Sequence, residues 1–254
     1  MNKVIQTKNL RKVYGSKGIT YTALDGIDLD VEEGEFLGIM GASGAGKTTL
    51  LNLISTIDTP TSGEYYFNGI DMSKIKNKEL SKFRRDNVGF IFQDFNLLDN
   101  MTIEDNIALP MALNKVNSNE IKKKVLELSR FFGIDGQLSK YPYQLSGGQK
   151  QRTAAARALI MSPSVIFGDE PTGALDSKSS AELLGCLAKM NDEFKTTVIM
   201  VTHDAFAASY CKRILFIKDG KIHARLDKNG DRREFFRRIL DIVASMGGDT
   251  NELF

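Results

Sequence analysis

The sequence predicts an α/β fold: a mainly parallel sheet covered by helices, an antiparallel β subdomain and an inserted helical subdomain. Three observations carry this. Short apolar runs recur along the chain with helical stretches between them: EFLGIM (35–40), VGFIFQD (88–94), SVIFGDEP (164–171) and TTVIMVTHD (196–204). Continuous apolar strands that alternate with helices belong to parallel sheets buried on both faces. One run passes through a glycine-rich loop into a helical stretch, KTTLLNLIS (47–55). From about 98 to 161 the texture is helical, so residues 95–161 read as an insertion between the strands at 88–94 and 164–169.

The elements follow in order. Residues 3–13 and 22–31 read as strands around the turn GSKGITY, and SGEYYFNG (62–69) as a strand ending in an Asn-Gly turn. Residues 73–86 are charged and helical. NSNEIKKKVLELSRFFGI (117–134) carries an Asn or Ser cap and apolar residues near helical spacing. After LSGGQ, the Ala-rich residues 150–161 read as helix, and RILFIKDGKI (213–222) as a terminal hairpin. REFFRRILDIVASM (233–246) places Phe235, Phe236, Ile239, Leu240, Ile242, Val243 and Met246 on one face, with arginines interleaved. That face suits either docking on the domain or a membrane or partner surface. The division expected is a domain over 1–230 and a helical tail over 231–254.

Composition bounds the function. With 254 residues, 42% of them hydrophobic, the chain can bury one core with an inserted lobe. A net charge of +2 lacks the basic excess of a nucleic-acid binder, so no nucleic-acid partner is expected. Cys186 and Cys211 lack metal-ligand spacing and read as reduced thiols. The N-terminus shows no signal-peptide core, and no window approaches the ~20 apolar residues of a membrane span. Work at a membrane would therefore be that of a peripheral subunit.

Gly41-Ala42-Ser43-Gly44-Ala45-Gly46-Lys47-Thr48 fits G-x-x-x-x-G-K-[ST] without mismatch. Glycines let consecutive backbone amides approach a polyphosphate, and the following helix aims its N-terminus at it. Lys47 supplies a cation to the β/γ-phosphates and Thr48 a hydroxyl to Mg²⁺. Asp169 ends an apolar run, where a carboxylate can hold Mg²⁺ through water. Glu170 follows; strand alternation turns it away, but a splayed strand end would aim it at the attacking water. Gln93 and His203 each end another apolar run. Either can be an ordinary surface or structural residue, or reach the same edge. Tyr14 either packs or stacks on a base. A second glycine loop, Leu145-Ser146-Gly147-Gly148-Gln149, duplicates the phosphate-loop features about a hundred residues on.

GASGAGKT, Gln93, LSGGQ, VIFGDE, GALD (173–176) and His203 occur in the order seen in ATP-binding subunits of ABC transporters, and the set resembles that family along nearly the whole chain. The resemblance implies a P-loop NTPase fold and ATP hydrolysis with Mg²⁺. It implies nucleotide contacts from Tyr14, the Walker A residues 41–48 and Thr49, and metal contacts from Thr48, Gln93 and Asp169. Glu170, Gln93 and His203 would be catalytic, Asp176 would lie in the D-loop, and residues 145–149 would be the signature that addresses the nucleotide of a second copy. FRRDNVGFIFQDFNLLDNMTIEDNIALP and DEPTGALDSKS are similar to the macrolide-exporter and lipoprotein-release group; MVTHDAFAASYCKRILFIKDGKI and the FFRRI tail are closer to the bacitracin and peptide-antibiotic resistance type. That type implies a permease at the cytoplasmic face of the membrane and a sensor kinase reached through it. Gly168 stands where these proteins often have Ala. Macrolide export, lipoprotein release and a non-transport ABC role are the alternatives.

Overall fold

The structure is a computed structural model and describes residues 2–16 and 18–246. Lys17, in the first turn, and 247–254, the end of the expected tail, lie outside the described residues. The chain opens with β1 (Lys3–Ser16), β2 (Ile19–Glu32), β3 (Phe36–Met40), α1 (Lys47–Ile54), β4 (Ser62–Phe67) and β5 (Ile70–Asp71). It continues with α2 (Asn77–Asn87), β6 (Val88–Phe92), α3 (Ile103–Leu113), α4 (Ser118–Phe131), α5 (Gly147–Leu159), β7 (Val165–Asp169) and α6 (Ser177–Phe194). It ends with β8 (Thr197–Val201), α7 (Ala205–Ala208), β9 (Arg213–Lys218), β10 (Lys221–Asp227) and α8 (Arg232–Met246). One sheet has the order β2-β1-β4-β5 and the other β10-β9-β3-β8-β7-β6. The first is antiparallel throughout; in the second the β3/β9 and β6/β7 pairs are parallel. This is the α/β class expected, with α3, α4 and α5 between β6 and β7 as the helical insertion.

The chain divides into two compact units, Met1–Lys74 with Ile199–Phe254, and Ile75–Val198. In the first, β1 and β2 form a long hairpin in which Tyr14 stands opposite Tyr21. The strands extend beyond the 3–13 and 22–31 expected. Their outer ends are solvent-exposed, with Ile19 86% and Tyr21 60% accessible, so no burial alternation marks them in sequence. Asn68 and Gly69 both take left-handed dihedrals (φ 49° and 74°), the turn that joins β4 to β5. β3 is buried at every position. α8 docks through Phe235 and Ile239, while Leu240 and Val243 of the same expected face stay exposed.

In the second unit β6 and β7 run in parallel register, ending on the pair Phe92–Asp169. α5 packs tightly on β6: a Cβ on Gly89 would sit 2.5 Å from the Ala158 carbonyl oxygen, and the middle of α5 is alanine-rich and buried on more than one side, with Ala154, Ala155 and Ala156 fully buried. Asn117 caps α4 by accepting from the Asn119 amide at 2.9 Å. Thr102 and Asp105 form a capping box on α3. α5 begins at Gly147, inside the second glycine loop, rather than at 150. Ser146 and Gln149 satisfy each other's backbone amides (3.3 and 3.0 Å) and so start the helix across two glycines that propensity alone disfavours. Among the described residues no helix is long and apolar enough to cross a membrane.

Candidate nucleotide site

The first unit holds the phosphate loop. β3 enters it through Gly41, whose hypothetical Cβ would collide with the Ile217 carbonyl oxygen. Gly46 closes it with φ 105°, where a Cβ would lie 2.6 Å from the Ala23 carbonyl oxygen. The loop is therefore wedged between β2 and β9, and only glycine fits at its two ends. Gly46 also occupies the N-cap of α1 without a side-chain cap, so no side chain of the cap competes for the helix's first amides. The Lys47 ammonium donates to the Gly41 and Ala42 carbonyls, both at 2.9 Å. Ala42, Ser43, Gly44 and Thr48 are exposed.

His203 follows β8 and lines the same cavity of about 460 Å³ as residues Gly41–Ala45. The Thr202 amide donates to the Ile39 carbonyl at 3.1 Å, which fixes the residue before it to β3. The Tyr14 hydroxyl donates to Asp58 Oδ2 at 2.9 Å, and the Lys12 ammonium lies 4.8 Å from its ring centroid. The phenol also meets the Thr49 hydroxyl, which places Tyr14 beside α1; partial burial and Asp58 hold its pKa above the usual value. Tyr21, which sequence reasoning did not single out, donates its hydroxyl to the Gly44 carbonyl at 3.3 Å. Only the hairpin register, which sets it opposite Tyr14, marks it.

The second unit holds the acidic group. Because Phe92 pairs with Asp169, Gln93 and Glu170 each stand one residue past the ends of adjacent strands. Glu170 takes φ 46°, a left-handed conformation that a non-glycine residue holds only when its surroundings enforce it. The residue thus departs from strand geometry, so regular strand alternation does not set the direction of its side chain. The Gly173 amide donates to the Glu170 carbonyl at 2.9 Å and closes the turn. A Cβ on Gly173 would stand 2.9 Å from the Gln93 carboxamide carbon, so the Gln93 side chain lies against the turn that follows Glu170.

The second glycine loop is committed to its helix. The Ser146 hydroxyl accepts from the Gln149 amide and the Gln149 carboxamide from the Ser146 amide; Leu145 is buried and Gly147 half-buried. Gly148 is buried because α6 comes close: a Cβ there would meet Ser179 Cβ and Oγ at 2.9 Å. Asp176 caps α6, accepting from the Ser179 amide (2.9 Å) and hydroxyl (2.7 Å). Those two bonds hold its carboxyl below the usual range. Gln151 and Arg157, absent from the sequence-derived set, reach back from α5, Gln151 to the last residue of β6 and Arg157 to the segment after it. Arg157 donates to the Phe95 carbonyl at 3.0 Å and the Asn96 carbonyl at 2.6 Å, two residues with φ of 62° and 48°.

Residues 24–173 match the family model described as ABC transporter. The chain is 52% identical over 251 residues to the uncharacterized ABC transporter ATP-binding protein YvcR of Bacillus subtilis, covering 98% of this chain and 97% of that protein. It is 48% identical over 250 residues to the bacitracin export ATP-binding protein BceA of Halalkalibacterium halodurans, covering 98% and 99%. Among solved structures, the dimeric post-hydrolysis state of the ATP-binding cassette MJ0796, bound to ADP and Pi, has a TM-score of 0.81 at 40% identity, covering 89% of this chain and 99% of that one. A phosphate loop wedged open at an uncapped helix, with this extent of likeness, leaves one assignment: the chain belongs to the ABC transporter family, as an ATP-binding subunit that hydrolyses ATP in support of transport.

Proposed function

We propose that this chain powers a membrane permease that handles peptide antibiotics, bacitracin among them. The observation that supports the reading is likeness to BceA, 48% identical over 98% of this chain and 99% of that protein. The chain would sit as a peripheral subunit at the cytoplasmic face of the membrane, with a sensor kinase reached through the permease.

The residue roles proposed follow the chemistry of the two groups. Backbone amides of Gly41–Thr48 and the N-terminus of α1 cradle the phosphates, and Lys47 exchanges loop carbonyls for phosphate oxygens. Tyr14 borders the base, with Thr49 beside it. Thr48, Gln93 and Asp169 offer a hydroxyl, a carboxamide oxygen and a carboxylate. These are hard oxygen donors, which suit Mg²⁺ and no soft metal. Among the described residues no cluster of three His, Cys, Asp or Glu could hold a metal. Mg²⁺ held by such donors would neutralise charge on the phosphates. Glu170 takes the proton of the attacking water, and His203 holds the γ-phosphate from the side of the Walker A loop.

Two copies close on two nucleotides, each between one copy's Walker A loop and the other's residues 145–149, with Asp176 near the seam. The γ-phosphate favours closure because only it touches both copies, and its loss on hydrolysis reopens them. Support for a pair comes from the dimeric MJ0796 structures, 40% identical to this chain. The test is expression of the chain with its permease in a sensitive bacterium. The expected result is raised bacitracin tolerance that Glu170→Gln abolishes. Unchanged bacitracin tolerance with raised macrolide tolerance would move the chain to the macrolide exporters.

A further inference from the structure

Gln151 is fully buried on the first turns of α5. Its side-chain Nε2 donates two hydrogen bonds, to the Phe92 carbonyl at 2.8 Å and to the Pro171 carbonyl at 2.7 Å. Phe92 directly precedes Gln93, and Pro171 directly follows Glu170. Both acceptors are carbonyl oxygens, so the amide orientation is set by its partners. Its Oε1 is buried and has no hydrogen-bond partner among the described residues. A buried amide with half its capacity unmet is a poor choice for stability alone. An apolar side chain of equal length would pack there without an orphaned oxygen. What glutamine supplies, and no apolar residue can, is two donors at one atom.

We propose that Gln151 is a positioning residue for hydrolysis: it ties the start of the signature helix to the two strand ends that carry Gln93 and Glu170. The tight packing of α5 on β6, where Gly89 faces the Ala158 carbonyl, brings the amide within reach of both carbonyls. The backbone on either side of the clasp is left-handed at three non-glycine residues: Phe95 and Asn96 lie at φ 62° and 48°, and Glu170 at 46°. Such conformations persist only where neighbours hold them. Arg157 holds the first pair from farther along α5, and Gln151 holds the start of that segment together with the turn after Glu170. Movement of the signature helix is thereby passed to both Gln93 and Glu170 through one side chain.

The inference rests on the reading that Glu170 and Gln93 serve hydrolysis, and the experiment separates the two. ATPase turnover and equilibrium affinity for a fluorescent ATP analogue are measured for the wild type, Gln151→Met, Gln93→Ala, Glu170→Gln and the double variant Gln151→Met/Gln93→Ala. Thermal midpoints are recorded in parallel. Gln151→Met is expected to keep nucleotide affinity within about twofold and to lose turnover by roughly ten- to a hundredfold, the scale of small displacements at a reacting centre. The double variant is expected to lose less than the product of the single losses, because Gln151 acts through Gln93. Gln151→Asn, polar but too short to reach both carbonyls, is expected to show the same split and keeps the test open if Gln151→Met does not fold. Full turnover in either folded variant overturns the proposal, as does a double variant whose losses multiply. Normal turnover in Glu170→Gln overturns the underlying reading, and the proposal with it.

Discussion

Gly173 packs directly against Gln93: a Cβ on residue 173 would come within 2.9 Å of the Gln93 carboxamide carbon. The glycine of the turn after Glu170 thus sets where a residue from a neighbouring strand end can stand. Gly173→Ala is expected to displace the Gln93 side chain, lowering turnover by roughly tenfold or more while leaving ATP affinity unchanged. Steady-state ATPase assays beside equilibrium nucleotide binding check it; a wild-type rate would mean that Gln93 can shift without consequence.

Lys47 and Glu170 are expected to divide binding from chemistry. Lys47 donates to the Gly41 and Ala42 carbonyls, and its removal takes away both the loop tether and the phosphate cation. Lys47→Ala should weaken triphosphate binding at least about tenfold, the scale of a lost charge-assisted bond. Glu170→Gln should bind ATP normally and hydrolyse it at least about a hundredfold more slowly. Equal defects in both measurements for both variants would refute the division.

Gly148 has two duties that one substitution exposes. Its buried position against Ser179 leaves no room for a side chain, and its loop is the proposed contact for the partner's nucleotide. Gly148→Asp is expected to lower the thermal midpoint, by an overpacking cost of about 1–3 kcal/mol. It should also block ATP-driven dimerisation while ATP still binds the monomer. Size-exclusion chromatography with ATP, in the Glu170→Gln background, reads the second effect. A dimer there would free the loop from its proposed role.

Cys211 is expected to tie stability to alkaline pH. Burial pushes its thiol far above the ordinary value, whereas the unfolded thiol ionises near 8.5, roughly. The stabilisation is therefore complete below the unfolded pKa and declines as pH rises above it, because only the unfolded chain releases the proton there. Denaturant midpoints should fall between about pH 8 and 10, and Cys211→Ala should fall less over that range. In the native state Cys211 should resist thiol reagents that label Cys186, which is half-buried; labelling of Cys211 at the rate of Cys186 would contradict its burial.

Much of the candidate site was legible in the chain because the pattern that proposes it is local. A phosphate loop needs its glycines, Lys47 and Thr48 within one turn of backbone, and the apolar runs before Asp169, Gln93 and His203 announce strand ends by composition alone. The helix start at Gly147 was missed because Ser146 and Gln149 cap across residues with poor helix propensity. The outer strand ends near Tyr21 were missed because exposure erases alternation.

By itself, then, the sequence determined the α/β class, the order of the motifs and the residue types able to bind a triphosphate, since each depends on neighbours a few positions apart. Only the tertiary structure decided that Phe92 and Asp169 end level, that Glu170 leaves its strand through a left-handed turn, and that Gln151 joins two carbonyls 59 and 20 positions away. Parallel register and side-chain reach across a packed helix are set by non-local contacts, for which no spacing within one segment carries a signal.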